Sequence, residues 1–419
     1  MSTTADAEIV GQDKVQHPED EPTGVVGLPR RALDNLRSGN LGVLPIVLGI
    51  IFIVVFFSFK ATNFFTANNF DNVIIQMAGT AMLAYGVVFV LLLGEIDLSI
   101  SYVAGIGALT VAELQLPDSG HHIHGLLAIA AAVAICAVIG AAQGSVVAFV
   151  GVPSFVVTLA GFMIWQGVIL QKLEQPGSII IQDRWINYTA SYFFSDTAGW
   201  IIAGIITAFY ALVVLGGLVS ARRAGVRTRS PWLVAAKLVG VAVAAFGIVA
   251  ICNHAQVPHG LPLAGVLVVI ALVLLTFLAK RTTFGRHVYA VGGNAEAARR
   301  AGINVPRIRI LVFIISGSMA AIGGIILAAN VNSVDLNFGG GTLLLNSIAA
   351  AVIGGVSLFG GRGEVRGAFL GALVIATVSN GLNTAGYATG VIYEVTGVIL
   401  LLAVTLDTIA RRLQARAGR

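Results

Sequence analysis

Apolar residues run through this chain in long blocks, and polar residues gather in the short stretches between them. Twelve blocks can be drawn, at 41–59, 73–93, 99–116, 126–149, 153–171, 199–219, 232–252, 263–279, 310–330, 343–359, 367–383 and 391–408. A helix needs about 20 mainly apolar residues to cross the hydrocarbon core of a bilayer. Only helices and closed barrels satisfy their own backbone there. The pattern therefore predicts an all-α, polytopic integral membrane protein of about 10–12 transmembrane helices, with its membrane domain over 41–408. Two blocks are irregular. The block at 99–116 contains Glu113, and the one at 343–359 is short and rich in glycine. Either reads as a broken or re-entrant element, so ten or eleven crossings stay open.

Composition sharpens this reading. Hydrophobic residues make up 57% of the chain and charged residues 11%, against about 25% charged in soluble domains. Small residues let membrane helices approach closely, which gives the 50 glycines a use. A net charge of +5 is too small to point to nucleic acid. Cys136 and Cys252 fall inside apolar blocks and read as small buried hydrophobes, not as a disulfide or metal pair. Residues 1–40 are polar and read as a disordered cytoplasmic tail, and 409–419 as a short basic one.

Where the charges sit matters more than their sum. Basic residues in short loops mark the cytoplasmic side. Counting alternately from an inside N-terminus puts 21 of the 25 lysines and arginines inside. Lys60, Lys172 and Arg184 fall outside, and Lys237 lies within a block. The expectation is a protein of the cytoplasmic (inner) membrane, surrounded by lipid, with both termini in the cytoplasm. The outer stretch 172–198 carries Trp185, Tyr188 and Tyr192, aromatics suited to the headgroup level. His121, His122 and His124 read as a solvated loop, with no ligand close by in sequence except Asp118.

No catalytic or metal signature appears. The chain lacks the G-x-x-x-x-G-K-[ST] phosphate loop, and the string Gly360-Gly361-Arg362-Gly363-Glu364 does not match it. Metalloprotease, nucleophile-elbow and Cys/His spacings are missing too. A transport role with no catalytic residue and no cofactor fits, and its energy must come from a partner or from an ion gradient.

Three segments carry candidate chemistry. In Leu93-Gly94-Glu95-Ile96-Asp97-Leu98-Ser99, two carboxylates stand between apolar runs. Ionisable groups at membrane depth are costly and usually functional. The competing reading is a short cytoplasmic turn with Asp97 capping the next helix. The stretch 280–309 is about 30 residues long, a length that usually signals function. Within it Asn294 reads as a cap for a helix over Ala295–Ala301, with Gly302 as its stop. Such a helix suits docking to a partner through the small residues Gly293, Ala297 and Ala301, spaced to share one helical face. The stretch 343–363 is dominated by small residues, which fits either close packing or a broken span lining a pore.

Together these segments resemble the permease subunits of ATP-binding-cassette sugar importers of the ribose, xylose and galactose group. Gly94 to Ser99 looks like that family's early signature. Phe284-Gly285-Arg286 through Gly302-Ile303-Asn304 looks like its ATPase-contacting loop. Ile348–Gly363 with Asn380-Gly381-Leu382-Asn383 looks like its C-terminal pattern. The chain is most similar to the xylose type. Glu95 stands where many ribose permeases have glycine, Leu343–Asn346 replaces a Glu-Leu stretch, and 220–262 adds a basic loop and a span. The resemblance implies a permease homodimer, a cytoplasmic ATP-binding subunit, and a periplasmic or lipid-anchored sugar-binding protein. It makes Glu95, Asp97, Ser99, Asn346, Asn380 and Asn383 candidates for the substrate pathway. Arg286, Gly293, Asn294, Ala297, Ala301 and Gly302 become candidates for ATPase coupling. The alternative is an ion-coupled secondary transporter with Glu95 and Asp97 as proton or sodium sites.

Overall fold

A computed structural model describes residues 44–116, 123–225, 231–256 and 258–416. The tail over 1–40 and the loop histidines His121 and His122 lie outside these residues. The chain runs α1 (Leu44–Lys60), α2 (Ala67–Leu92), α3 (Ile100–Leu114), α4 (Gly125–Ser145, continued by a π turn at Val146–Val150) and α5 (Ser154–Leu173). Next come β1 (Ser178–Ile180), α6 (Arg184–Ser191), β2 (Phe193–Phe194), α7 (Asp196–Arg223), α8 (Pro231–Cys252), β3 (Leu261–Pro262) and α9 (Leu263–Arg281). Then follow α10 (Thr283–Gly293), α11 (Ala295–Arg300), α12 (Val305–Val331), β4 (Ser333–Asp335), α13 (Gly341–Ile353), α14 (Val365–Thr384) and α15 (Thr389–Arg416).

Among the described residues eight helices are long and apolar enough to cross a membrane, and four shorter apolar helices join them. Each corresponds to one of the twelve blocks. The two irregular blocks became the short helices α3, 15 residues, and α13, 13 residues. At 1.5 Å per residue these reach about 20–22 Å, less than the roughly 30 Å hydrocarbon core. Non-helical chain supplies the rest of the path, at 93–99 before α3 and as turns over 336–340 before α13. Residues 409–416 continue α15 as helix.

The helices alternate between two ends, and the loop contacts described here sort by end. At the basic end, Gly361 N–H donates to Leu92 O (2.9 Å) and Tyr289 Oη donates to Gly363 O (2.7 Å). Lys280 pairs with Glu364 at 3.2 Å and Arg309 with Glu95 at 3.0 Å. At the far end β1 pairs antiparallel with β4, and β2 with β3. Gln115 bonds Ile180 O and accepts from Gln182 and Asp183 N–H, while Lys172 pairs with Glu113. The aromatic stretch 172–198 thus folds down as two strands and the amphipathic helix α6, which buries Ile186 and Ala190.

Burial separates a core from a periphery. α2 is central, with 94% of its apolar window buried, whereas α7 and α8 bury 6% and 11% of theirs. Lipid is no more polar than leucine, so close packing rather than water exclusion holds such helices together. α12 shows how. Gly317 lies on the backbone of Cys136, and Gly324 on that of Ala104, where a Cβ would collide. α7 and α8 form a hairpin packed mainly on itself, with its open glycines facing outward.

Candidate functional site

The segment between α2 and α3 is bound at nearly every residue. α2 ends at Leu92, and Gly94 turns the chain with φ +76°, a conformation that favours glycine. The chain then runs back toward the membrane interior. Glu95 meets Arg309 of α12. Ile96 N–H donates to Ser154 Oγ (3.1 Å), and Thr158 Oγ1 donates to Ile96 O (3.1 Å), both from the first turns of α5. Asp97 is buried. Its Oδ1 accepts from Ser99 N–H (3.0 Å) and Ser99 Oγ (2.7 Å), and its Oδ2 from Ser316 Oγ (2.8 Å) on α12. Ser99 Oγ also lies 2.9 Å from the Gln143 side-chain amide of α4. A hydroxyl has one proton, and Ser99 gives it to the carboxylate. The atom of Gln143 at that distance is Oε1, and an N–H serves the contact once the amide is turned over.

This knot sits above the basic end. Gly86 of α2 packs on Ser316 and on Ile100, so the first turn of α3 stands nearly two turns in from the end of α2. Asp97 accepts the N–H of Ser99, the residue just before α3, and it does so buried inside the molecule and not in an exposed turn. A small apolar hollow of about 140 Å³ lies against Asp97, lined by Val87, Leu91, Ile348 and Leu358.

The stretch 280–309 is not one loop with one short helix. Thr282 caps α10 through Gly285 N–H, and α10 buries Gly285, Val288 and Val291. Asn294 then breaks the helix with an extended backbone and caps α11 through Ala297 N–H (2.9 Å). Gly302 ends α11 with φ +84°. Because Asn294 is extended, Gly293 and Ala297 belong to different helices, and the single face over Gly293, Ala297 and Ala301 does not form. All three are nevertheless exposed, as are Arg286, Asn294 and Gly302. Arg299 and Arg300 both pair with Glu296 of their own helix at 3.3 Å. Gly292 is packed where a Cβ would strike Leu92 O and Gly361 N, so α10 lies backbone to backbone on the end of α2 and on the 354–364 turn.

The six pathway candidates split into two groups. Glu95, Asp97 and Ser99 form the knot. Asn380 and Asn383 lie on α14 toward the far end, where Asn380 Nδ2 approaches Gln76 Oε1 at 3.4 Å. Asn346 is half-buried on α13 between them. Sequence reasoning missed Gln143, Ser154, Thr158, Ser316 and Arg309. Each is a common residue inside or beside an apolar run, and nothing local marks it. Among the described residues no group of His, Cys, Asp and Glu is arranged to hold a metal ion.

The fold is thus a bundle of membrane-crossing helices with two short helices and a docked helix pair at one end. Residues 69–404 match the family described as branched-chain amino acid transport system / permease component, and the chain belongs to that family. It is 34% identical over 382 residues to the xylose transport system permease protein of Haemophilus influenzae, covering 89% of this chain and 98% of that one. Against the xylose transport system permease protein of Escherichia coli K12 the figures are 33% over 380 residues, 90% and 94%. Against the ribose import permease protein of the same strain they are 29% over 361 residues, 86% and 92%. No solved structure matches the chain.

Proposed function

We propose that this chain is the translocating subunit of an ATP-binding-cassette importer for a monosaccharide, xylose or a related sugar. The observation that carries the mechanism is the docked pair α10–α11. Its exposed residues present a surface at the basic end, and its half-buried Gly292 rests on the end of α2, from which the chain leads to Asp97. An ATP-binding subunit moving α10–α11 would pull on α2, on the 93–99 segment and on the 354–364 turn together. The xylose assignment draws its support from 34% and 33% identity over nearly the whole chain, against 29% for the ribose permease. The basic end faces the cytoplasm in this reading, with both termini there. Two copies form the pathway, and a sugar-binding protein delivers the solute at the far end.

The ion-coupled alternative draws little support from the site. Asp97 has its donors from Ser99 and Ser316, and Glu95 has Arg309, so both carboxylates are already engaged. The deciding experiment reconstitutes the chain with its ATP-binding subunit and binding protein in liposomes. ATP-dependent uptake of labelled xylose, unaffected by collapsing the proton and sodium gradients, is expected. Uptake that follows an ion gradient and ignores ATP would sink the importer reading.

Docking has its own test. Ala297→Trp is expected to leave the permease inserted and abundant while abolishing co-purification of the ATP-binding subunit. Arg299→Gln is expected to be mild, because an exposed pair such as that with Glu296 contributes about 0–1 kcal/mol. Unchanged co-purification for Ala297→Trp would move docking to another cytoplasmic surface.

A further inference from the structure

α13 reaches about two-thirds of a span, and its shortness leaves something uncovered. It packs antiparallel to α14, with Gly354 on Gly367 and Ala350 on Gly371. Continuing that pairing turn by turn brings the first turn of α13, at Gly341, level with Asn380. Beyond that level α2 and α14, on which α13 packs, continue toward the far end without it, and α12 flanks α2 there. The notch so left is edged by amides. Asn72 and Gln76 are exposed and, four residues apart, share a face of α2. That face continues to Gly79, which packs on Gly323 and Leu327 of α12. Seven residues on from Gly323, Asn330 is exposed on the same side of α12. Asn380 and Asn383, three apart on α14, complete it.

Two observations mark the notch as more than surface. Asn380 is 4% exposed, yet its Oδ1 has no hydrogen-bond partner among the described residues. Such an oxygen is costly to leave unsatisfied. At the floor, α13 begins at Gly340 with no side chain capping its first turn, and Thr342 is exposed there. Exposed amides in the outer part of a span have no partner in hydrocarbon, so this face suits water or a polar partner rather than lipid.

We propose that this notch is the sugar-recognition surface of the permease. The inference rests on the importer reading above. Each amide offers a donor and an acceptor on one rigid plane, as a sugar hydroxyl needs. None of the six side chains, Asn72, Gln76, Asn330, Thr342, Asn380 and Asn383, is charged, which suits a neutral polyol rather than an ion or an amino acid.

The test uses Gln76→Cys and Asn383→Cys in the assembled transporter, probed with a membrane-impermeant thiol reagent from the far side. The native Cys136 and Cys252 are fully buried, and Leu212→Cys on the exposed flank of α7 serves as the lipid-facing control. Both notch cysteines are expected to react and the control not to. Loaded binding protein with xylose should slow their labelling, and Gln76→Leu with Asn383→Leu should cut sugar uptake about tenfold or more at equal abundance. Unreactive notch cysteines would overturn the proposal. So would labelling indifferent to sugar in a complex that transports it, which leaves the importer reading standing. Protection by a charged solute alone, with no sugar uptake, would overturn both together.

Discussion

Asp97→Ala is expected to remove most of the folded permease from the membrane. The carboxylate gathers the N–H and hydroxyl of Ser99 and the hydroxyl of Ser316, all out of reach of water. Truncating one member of a buried charged network costs about 3–5 kcal/mol, because its partners stay behind unsatisfied. That is a large share of the roughly 5–15 kcal/mol that holds a typical domain folded. Asp97→Asn should be far milder in stability. Its carbonyl can keep the bonds to Ser99, and its N–H can donate to Ser316 Oγ. The check is thermal stability of the detergent-solubilised protein alongside uptake at matched abundance. If Asp97→Ala is as abundant and stable as wild type, the knot is not a structural anchor. If Asp97→Asn is stable but inactive, the charge itself takes part in transport.

The second large effect separates two neighbouring glycines. Gly292→Val is expected to abolish sugar-stimulated ATP hydrolysis while the chain still inserts. A Cβ at 292 would strike Leu92 O and Gly361 N, forcing α10 off the end of α2. Gly293 has open space around it, so Gly293→Ala should couple normally. The contrast matters because both residues lie at the basic end, outside the apolar spans. A general folding defect would lower membrane abundance, which quantitative blotting reads directly. Normal stimulation in Gly292→Val would mean that motion reaches the spans by another route, and the salt bridge of Lys280 with Glu364 is the next contact to break.

Both predictions depend on residues that sequence reading handled unequally. Gly94 to Ser99 stood out because carboxylates between apolar runs are conspicuous, and both the capping and the buried reading were legible there. The partners were not. Gln143 lies 44 residues from Ser99, and Ser316 lies 219 residues from Asp97. Serines and glutamines of this kind look like ordinary small or polar residues in an apolar helix until a fold places them. The helix α11 was readable from Asn294 and Gly302, because capping is a local matter. The helix α10 was not, since its fit depends on Gly292 meeting a turn from the other end of the chain.

By itself the sequence determined an all-α membrane bundle of about 10–12 apolar helices, their alternation between two ends and the gathering of basic residues at one of them. These follow from length, hydropathy and loop charge, all of which act locally on a chain in a bilayer. It also marked 99–116 and 343–359 as irregular, because glycine and a stray carboxylate interrupt their apolar runs. Only the tertiary structure decided what the irregularity means. α3 starts inside the molecule on Asp97, and α13 starts level with Asn380. Gln76 and Asn380, 304 residues apart, come to edge the same notch. The physical reason is that membrane helices pack by shape. Which small residue meets which backbone sets the vertical register of neighbouring helices, and no local pattern encodes that register.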